Sequence, residues 1–368
     1  MFDVESRKKA VAFSIERIRN NINTFWDTFP AAQSENYVYP SVTELNWTEG
    51  FWSGMLWHAY EMTGQQEFKD AAEHQVELFG YRLEKRQKLN HHDLGFLFIL
   101  SCVSAYKITD NIKARDIAVG AAELLIERYH AKGEFIQAWG DVNGKDNHRL
   151  IIDCLLNIPL LFWASEVTGD EKYRDIAYKH LKTTVSVSIR EDFTTYHTFY
   201  FDYLTGEKIK GVTHQGYSDD SCWARGQAWG IYGLALAYAY TKDETLIPIF
   251  NGVTDCFLSK LPADNVPYWD MIFTEGDEPR DTSAAAIAVC GIMEMQKYIK
   301  NEYYQRKSMD MLEALYRGYL TKDESNGILT EGMYSRPAGD KPECNIWGDY
   351  FFVEALHRLE DSEWKRYW

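Results

Sequence analysis

The sequence predicts an all-α fold, an (α/α)6 barrel in which six helical hairpins close into a toroid. The prediction rests on six apolar helical segments and on the more polar amphipathic helices that alternate with them. Helices of a buried inner ring should be apolar nearly all round, whereas helices of an outer ring should be apolar on one stripe. An open solenoid of helix pairs is the alternative, but its repeats would be shorter and its loops more uniform.

The apolar segments recur about every 60 residues and are the predicted inner helices. They start near Trp47, Asp93, Asp153, Arg225, Asp281 and Asp349. The outer helices are predicted over residues 6–22, 66–84, 112–130, 171–186, 244–258 and 303–319. Each hairpin therefore pairs one apolar helix with one amphipathic helix.

The loops differ at the two ends of the predicted toroid. Short turns follow the inner helices, whereas long loops lead into them, at residues 23–46, 131–152, 187–224, 259–280 and 320–346. Long loops in a compact domain are usually functional, so a cleft is predicted over the N-termini of the inner helices. Because no linker interrupts the pattern, we expect residues 1–368 to form a single catalytic domain.

The composition of the chain limits the kinds of molecule that it can bind. A net charge of −16 argues against nucleic acid and against an anionic membrane surface, but it allows a small anionic ligand held by a local arginine. No apolar run is long enough to span a bilayer, and the six cysteines are scattered. We expect a cytoplasmic protein, either a monomer or a homodimer, with reduced cysteines.

Two acids, Asp93 and Asp153, stand at the heads of consecutive inner helices. Neighbouring helices lie roughly 10 Å apart, so both carboxylates could face one small substrate. Two carboxylates in different environments are suited to general acid and base catalysis on glycosidic or enol-ether bonds. Alternatively, each aspartate only caps its helix. By position, Asp281 and Asp349 have an equal claim.

Other residues of these segments require partners. Pro159 lies inside the third inner helix, where it frees a backbone carbonyl, and Asn157 could donate to that carbonyl or to the Asp153 side chain. Arg225 begins an apolar helix and needs an anion, either Asp219 or Asp220 nearby or an acidic group of a ligand. No zinc or nucleotide motif occurs, so no metal or cofactor is predicted.

Three stretches carry a family resemblance in combination: HHDLGF at 91–96, RLIIDCLLNIPLLFWA at 149–164 and SCWARGQAWGIYG at 221–233. Together they resemble the unsaturated glucuronyl hydrolases of glycoside hydrolase family 88. The resemblance covers nearly the whole chain and implies an (α/α)6 barrel. It also implies removal of the 4,5-unsaturated uronic acid that polysaccharide lyases leave at the non-reducing end of glycosaminoglycan oligosaccharides.

The resemblance also implies roles for individual residues. Asp153 matches the family's acid/base residue and Asp93 its second essential aspartate. Further matches to the family's substrate site fall on Trp47, His92, Trp139, His197, Gln215, Arg225 and Trp229. Trp47 and Trp139 would offer stacking faces, His197 would lie near the double bond, and Arg225 would hold the uronate carboxylate.

Three alternative functions stay open. A related unsaturated rhamnogalacturonyl hydrolase would perform the same chemistry on pectin fragments, and an inverting glycosidase on the same toroid would cleave saturated sugars. A helical-repeat binding module without catalysis is the alternative from another class. Only the binding module would keep its function after Asp153→Asn.

Overall fold

The regular structure consists almost entirely of helices in a computed structural model that describes residues 2–322 and 324–368. In chain order the helices are α1 Val4–Asn21, α2 Glu49–Thr63, α3 Gln66–Glu84, α4 Leu94–Phe98, α5 Ser104–Thr109, α6 Ile112–Ile126, α7 Cys154–Asn157, α8 Pro159–Thr168, α9 Glu171–Ser188, α10 Ala224–Thr241, α11 Leu246–Ser259, α12 Thr282–Gln296, α13 Glu302–Gly318 and α14 Ile346–Glu360. The strands are β1 Phe29–Pro30, β2 Ser41–Val42, β3 Tyr129–His130, β4 Phe135–Ile136, β5 Arg149–Ile151, β6 Thr198–Phe201 and β7 Lys208–Val212.

The inner helices form a closed ring in chain order. Helix α2 packs on α4, α4 on α7, α7 on α10, α10 on α12, α12 on α14, and α14 packs back on α2. Helices α1, α3, α6, α9, α11 and α13 pack outside this ring. The closure confirms the predicted (α/α)6 barrel and excludes an open solenoid. Among the described helices, none is both long and apolar enough to cross a membrane.

Two inner helices are interrupted. Between α4 and α5 the chain forms a π-helical turn at Ile99–Val103, and the Ser101 hydroxyl donates to the Leu97 carbonyl there. Between α7 and α8 the helix breaks, so Pro159 is the first residue of α8. The first residue of a helix needs no partner for its N–H. Pro159 therefore begins a helix and does not lie inside one as predicted.

The helix boundaries depart from the prediction by more than two residues at two places. Helix α6 stops at Ile126 because the next residues turn into strand β3, which pairs with β4. The last inner helix, α14, starts at Ile346, three residues before the predicted start, so Asp349 lies in its first turn.

Glycines let the heads of neighbouring inner helices approach closely. A Cβ atom on Gly50 would lie 2.0 Å from the Phe96 carbonyl oxygen, and one on Gly95 would lie 2.3 Å from the Cα of Asn157. No larger residue fits at either position without moving the backbone. These contacts fix the spacing of α2, α4 and α7, which carry part of the site described below.

The long loops carry short strands that the all-α prediction did not include. Strands β5, β6 and β7 form an antiparallel sheet, in which Leu150 pairs with Phe199. One step beyond the sheet, the Ile152 N–H donates to the His197 carbonyl at 3.0 Å. The sheet therefore joins the loop before α7 to the loop before α10 at the head of the barrel.

Candidate active site

A cavity of about 370 Å³ opens at the heads of the inner helices. The structure places all nine predicted site residues in its walls: Trp47, His92, Asp93, Trp139, Asp153, His197, Gln215, Arg225 and Trp229. Its remaining lining residues are Asn46, His91, Ile151, Trp223 and Tyr334. Residues from eight separate stretches of the chain thus line one cavity.

A larger cleft of about 1040 Å³ lies between the last turns of the inner helices and the residues that follow α14. Two of its lysines contact the last residues of the chain: Lys107 donates to the Tyr367 carbonyl at 2.7 Å, and Lys297 donates to the Trp364 carbonyl at 3.0 Å. These contacts hold the last residues against the barrel. Catalysis is therefore expected in the smaller cavity, which holds the paired acids.

His92 lies between the two predicted catalytic acids. Its Nε2 atom is 3.3 Å from Asp93 Oδ1 and 3.4 Å from Asp153 Oδ1. Within the described structure, neither aspartate side chain makes a capping hydrogen bond to its helix, whereas Asp281 accepts one from the Ser283 N–H at 3.1 Å. The cap interpretation is therefore wrong for Asp93 and Asp153.

The environment of Asp153 favours its protonated form. Burial and the neighbouring charge of Asp93 raise the pKa of Asp153 well above its usual range. Its Oδ1 atom is buried and has no hydrogen-bond partner among the residues described, although it lies 3.4 Å from Nε2 of His92. An uncharged carboxyl group tolerates this position better than a carboxylate.

The environment of Asp93 favours the ionised form. Burial opposes ionisation, but His92, His91 and Arg128 together outweigh it and lower the pKa of Asp93. The side-chain amide of Asn157 contacts both aspartates. Its Nδ2 lies 3.5 Å from Asp93 Oδ1 and donates to the backbone carbonyl of Asp153 at 3.2 Å. The surroundings of the two acids therefore shift their pKa values in opposite directions within one cavity.

His197 faces the cavity as a neutral hydrogen-bond donor. Its Nδ1 atom accepts the backbone N–H groups of His214 at 2.9 Å and Gln215 at 3.3 Å. Burial, His214 and Arg225 lower its pKa well below the usual range. Because Nδ1 accepts, the proton of the neutral ring is on Nε2.

Arg225 is almost completely buried and already holds four acceptors. Its guanidinium donates to Asp281 at 2.8 Å, to Gln215 Oε1 at 2.7 Å, and to the carbonyls of Met333 and Tyr334. The carboxylate partner is Asp281, so the expected pairing with Asp219 or Asp220 was wrong. Because Oε1 of Gln215 is engaged, its Nε2 group is the part left to donate into the cavity.

Two tryptophans present rings at the cavity mouth. Trp139 is 44% exposed, and the Arg149 guanidinium lies 3.6 Å from its ring centroid. Trp47 is half-buried, donates from Nε1 to the Tyr334 hydroxyl at 3.1 Å and stacks on Trp347. Rings held in this way offer flat apolar faces of the kind that pack against a sugar.

Comparison with known proteins places this site in a family. The model of Glycosyl Hydrolase Family 88 matches residues 18–362. The chain belongs to Glycosyl Hydrolase Family 88. This confirms the resemblance seen in the sequence, and the family 88 chain is accordingly a glycoside hydrolase.

Individual relatives of the family 88 chain cover almost its full length. It is 48% identical over 369 residues to the unsaturated chondroitin disaccharide hydrolase of Streptococcus pneumoniae (strain ATCC BAA-255 / R6), covering 98% of this chain and 93% of the relative. The crystal structure of unsaturated glucuronyl hydrolase from Streptococcus agalactiae superposes with a TM-score of 0.96 at 46% identity, covering 99% of this chain and 94% of that chain. A mutant of the same S. agalactiae enzyme, complexed with dGlcA-GalNAc6S, superposes with a TM-score of 0.88 at 43% identity, covering 98% and 93%.

Several lining residues of the family 88 enzyme were not predicted. Tyr334 lies in the loop before α14, which has no periodic pattern, and Asn46 and Ile151 are ordinary residue types in irregular segments. His91 and Trp223 lie in the stretches HHDLGF and SCWARGQAWGIYG, but neither was assigned to the site. Only these two therefore carried a usable sequence signal.

The site also contains a group of side chains that could hold a cation. One ligand atom each from His92, Asp93 and Asp153 lies within 4.8 Å of the others. A cation there would favour the ionised form of Asp153, whereas burial favours the protonated form. The prediction that the family 88 enzyme needs no metal is therefore testable with a chelator.

Proposed function

We propose that the protein removes the 4,5-unsaturated uronic acid from the non-reducing end of glycosaminoglycan oligosaccharides. In this proposal Asp153 is the acid/base residue and Asp93 is the second essential carboxylate. The observation that carries the proposal is the unequal pair itself, since the surroundings of half-buried Asp153 favour its protonated form while those of Asp93, beside it, favour its ionised form. Unsaturated chondroitin disaccharides are the substrates we expect first, since the relative from S. pneumoniae is named for them.

Recognition of the sugar uses the walls of the cavity. Trp139 and Trp47 stack on the apolar faces of the two sugar rings. Donors for the uronate come from Nε2 of His197 and Nε2 of Gln215, neither of which is hydrogen-bonded to any of the described residues. Arg225 favours the uronate carboxylate through its charge, because its Nη groups are already hydrogen-bonded.

The reaction follows from the vinyl ether of the substrate. Asp153 donates its proton to C4, and positive charge develops at C5 and on the ring oxygen, where the carboxylate of Asp93 stabilises it. Water then adds at C5 and gives its proton to the carboxylate of Asp153, which restores the acid. The resulting hemiketal opens at the bond between C5 and the ring oxygen. The hemiacetal left at C1 then releases the second sugar.

The decisive experiment follows the ultraviolet absorbance of the vinyl ether, which hydration destroys. The protein is mixed with unsaturated disaccharides from chondroitin, hyaluronan, heparin and pectin, with and without a chelator. We expect decay on the glycosaminoglycan disaccharides that is unaffected by the chelator. Decay on pectin fragments alone would favour the rhamnogalacturonyl alternative, and no decay on any substrate would overturn the proposal.

Two controls separate the remaining alternatives. Saturated disaccharides should not be cleaved, because an inverting glycosidase would accept them and a vinyl-ether hydratase cannot. Asp153→Asn should lose nearly all turnover while still binding the disaccharide, since the amide keeps the shape but cannot supply the proton. If Asp153→Asn binds and hydrolyses the disaccharide as the wild type does, the proposed role of Asp153 is contradicted.

We also propose that residues 1–368 act as one catalytic domain, as a monomer or homodimer, in a reducing compartment such as the cytoplasm. The state of the cysteines supports the compartment, since all six are free and five are buried. The oligomeric state is measured directly by sedimentation of the purified chain.

A further inference from the structure

His180 belongs to the outer helix α9 and is not one of the residues that line the cavity. It is fully buried, and its Nδ1 atom accepts the Ile136 N–H at 3.2 Å. Because Nδ1 accepts, the proton of the neutral ring is on Nε2. That Nε2 atom is buried and has no hydrogen-bond partner among the described residues. A buried N–H donor is thus left unused.

His92 presents the matching unused acceptor. Its Nε2 atom faces Asp93 and Asp153, which favours a proton on Nε2 and leaves Nδ1 unprotonated. Burial lowers the pKa of His92 to about 4, so the ring is neutral near neutral pH. Its Nδ1 atom is buried and, like Nε2 of His180, has no partner within the described part of the chain.

The two histidines contact the same short stretch of chain. His180 accepts from the N–H of Ile136, and the backbone N–H of His92 donates to the carbonyl of Ala138 at 2.7 Å. One turn after His180, the Thr184 hydroxyl lies 3.4 Å from Sγ of Cys154, the residue next to Asp153. His92 also lowers the pKa of His180, as expected for neighbouring rings.

We infer that His180 is a positioning residue: its Nε2–H donates to one water molecule, which in turn donates to Nδ1 of His92 and so keeps the His92 proton on Nε2. The hydrogen bonds then run in one direction, from the Ile136 N–H through His180 and His92 to the catalytic carboxylates. Buried polar groups are nearly always paired, and this arrangement pairs both unused atoms at once.

The fixed direction matters for proton transfer, and this part rests on the proposed function. With its proton on Nε2, His92 can donate to the carboxylates but cannot accept the proton of Asp153. That proton therefore stays available for C4 of the substrate. In the other tautomer, the unprotonated Nε2 of His92 would accept a hydrogen bond from Asp153 and hold its proton away from the substrate.

Two substitutions of His180 test the inference. Glutamine can accept from Ile136 and still donate from a nitrogen placed like Nε2, whereas methionine fills the space without an N–H. We expect His180→Gln to keep kcat within about threefold and His180→Met to lower kcat by about tenfold or more, with KM changed less than about twofold in both. Equal losses in the two variants would overturn the inference and indicate a packing role.

A spectroscopic readout does not depend on turnover. Nitrogen-15 NMR of the imidazoles distinguishes the two neutral tautomers, and the His92 signals are assigned by their loss in His92→Gln. We expect the Nε2–H tautomer in the wild type and in His180→Gln, and a mixture in His180→Met. The Nε2–H tautomer persisting in His180→Met would overturn the inference. If no unsaturated disaccharide is hydrolysed, the proposed function fails, while the tautomer measurement still decides this point.

His58 provides a matched control. It is also fully buried with an unpartnered Nε2 within the described structure, but its Nδ1 lies 2.8 Å from Nδ1 of His357, away from the cavity. His58→Met should leave kcat unchanged when assayed well below its melting temperature. A fall in kcat equal to that of His180→Met would show that loss of any buried histidine slows turnover, and it would overturn the inference.

Discussion

Arg225 and Asp281 form a buried salt bridge of 2.8 Å between the heads of two neighbouring inner helices. Their side chains are 2% and 0% exposed. Desolvating two charges is expensive, and the cost is recovered only while both are present. The pair therefore holds α10 against α12 at the rim of the cavity, and it orders Gln215 through the second nitrogen of Arg225.

Asp281→Asn should destabilise the protein strongly because it leaves the Arg225 charge buried and uncompensated. We expect the free energy of unfolding to fall by about 3–5 kcal/mol in urea unfolding, and KM to rise as Gln215 loses its fixed position. The exposed pair of Arg86 and Glu127, 3.1 Å apart, is the control. Glu127→Gln should cost no more than about 1 kcal/mol. Similar losses in the two variants would contradict the buried role.

The pH dependence of turnover should follow the two acids in opposite directions. Activity requires protonated Asp153, whose pKa is raised, and ionised Asp93, whose pKa is lowered. The rate should therefore decrease when the pH rises above the pKa of Asp153. It should also decrease when the pH drops below the pKa of Asp93. The measurement is kcat/KM across the pH range in which the protein stays folded.

Asp93→Asn provides a sharper form of this prediction. The amide removes the negative charge that helps to raise the pKa of Asp153. The alkaline limb of the remaining activity should therefore move to lower pH. An alkaline limb that stays in place would mean that burial alone, or a different group, sets it.

The barrel was predictable because its signal is local, whereas much of the site is not. Apolar helical periodicity identifies an inner helix without knowledge of its neighbours. The sheet of β5, β6 and β7 joins residues about fifty positions apart in strands of three to five residues, which leave no periodic signal. Tyr334 reaches the cavity from an irregular loop for the same reason.

The partner of Arg225 shows what a closed ring adds to such a prediction. Asp219 and Asp220 were considered because they are near in sequence, yet the partner lies 56 residues away. Once the ring is known to close in chain order, the head of the next inner helix is the nearest place for an anion. The predicted ring therefore implied that Arg225 lies beside the head of the next inner helix, although a search among residues near in sequence did not identify Asp281.

Asp349 should be a structural acid despite its position near the head of an inner helix. Its carboxylate accepts the N–H groups of Ile328 at 3.0 Å and Leu329 at 2.8 Å, and the Tyr39 hydroxyl at 2.9 Å. Asp349→Asn replaces one acceptor oxygen with a donor, so one buried N–H loses its partner. We expect a loss of about 1–3 kcal/mol in stability with kcat unchanged. Loss of turnover in the folded variant would return Asp349 to the catalytic candidates.

Gly95 should control the geometry of the catalytic pair because it lies where the heads of α4 and α7 touch. A Cβ there would lie 2.3 Å from Cα and 2.7 Å from the carbonyl oxygen of Asn157, which is backbone and cannot rotate away. Gly95→Ala should therefore lower the free energy of unfolding by about 1–3 kcal/mol or more, and should lower kcat because Asp93 moves relative to Asp153.

Gly318, the last residue of α13, provides the control. An added Cβ there would have no atom of the described residues within 4 Å, so Gly318→Ala should change the free energy of unfolding by less than about 0.5 kcal/mol. Thermal melting and kcat measured on both variants check this, and an unchanged kcat in Gly95→Ala would show that the pair tolerates a shift of its helices.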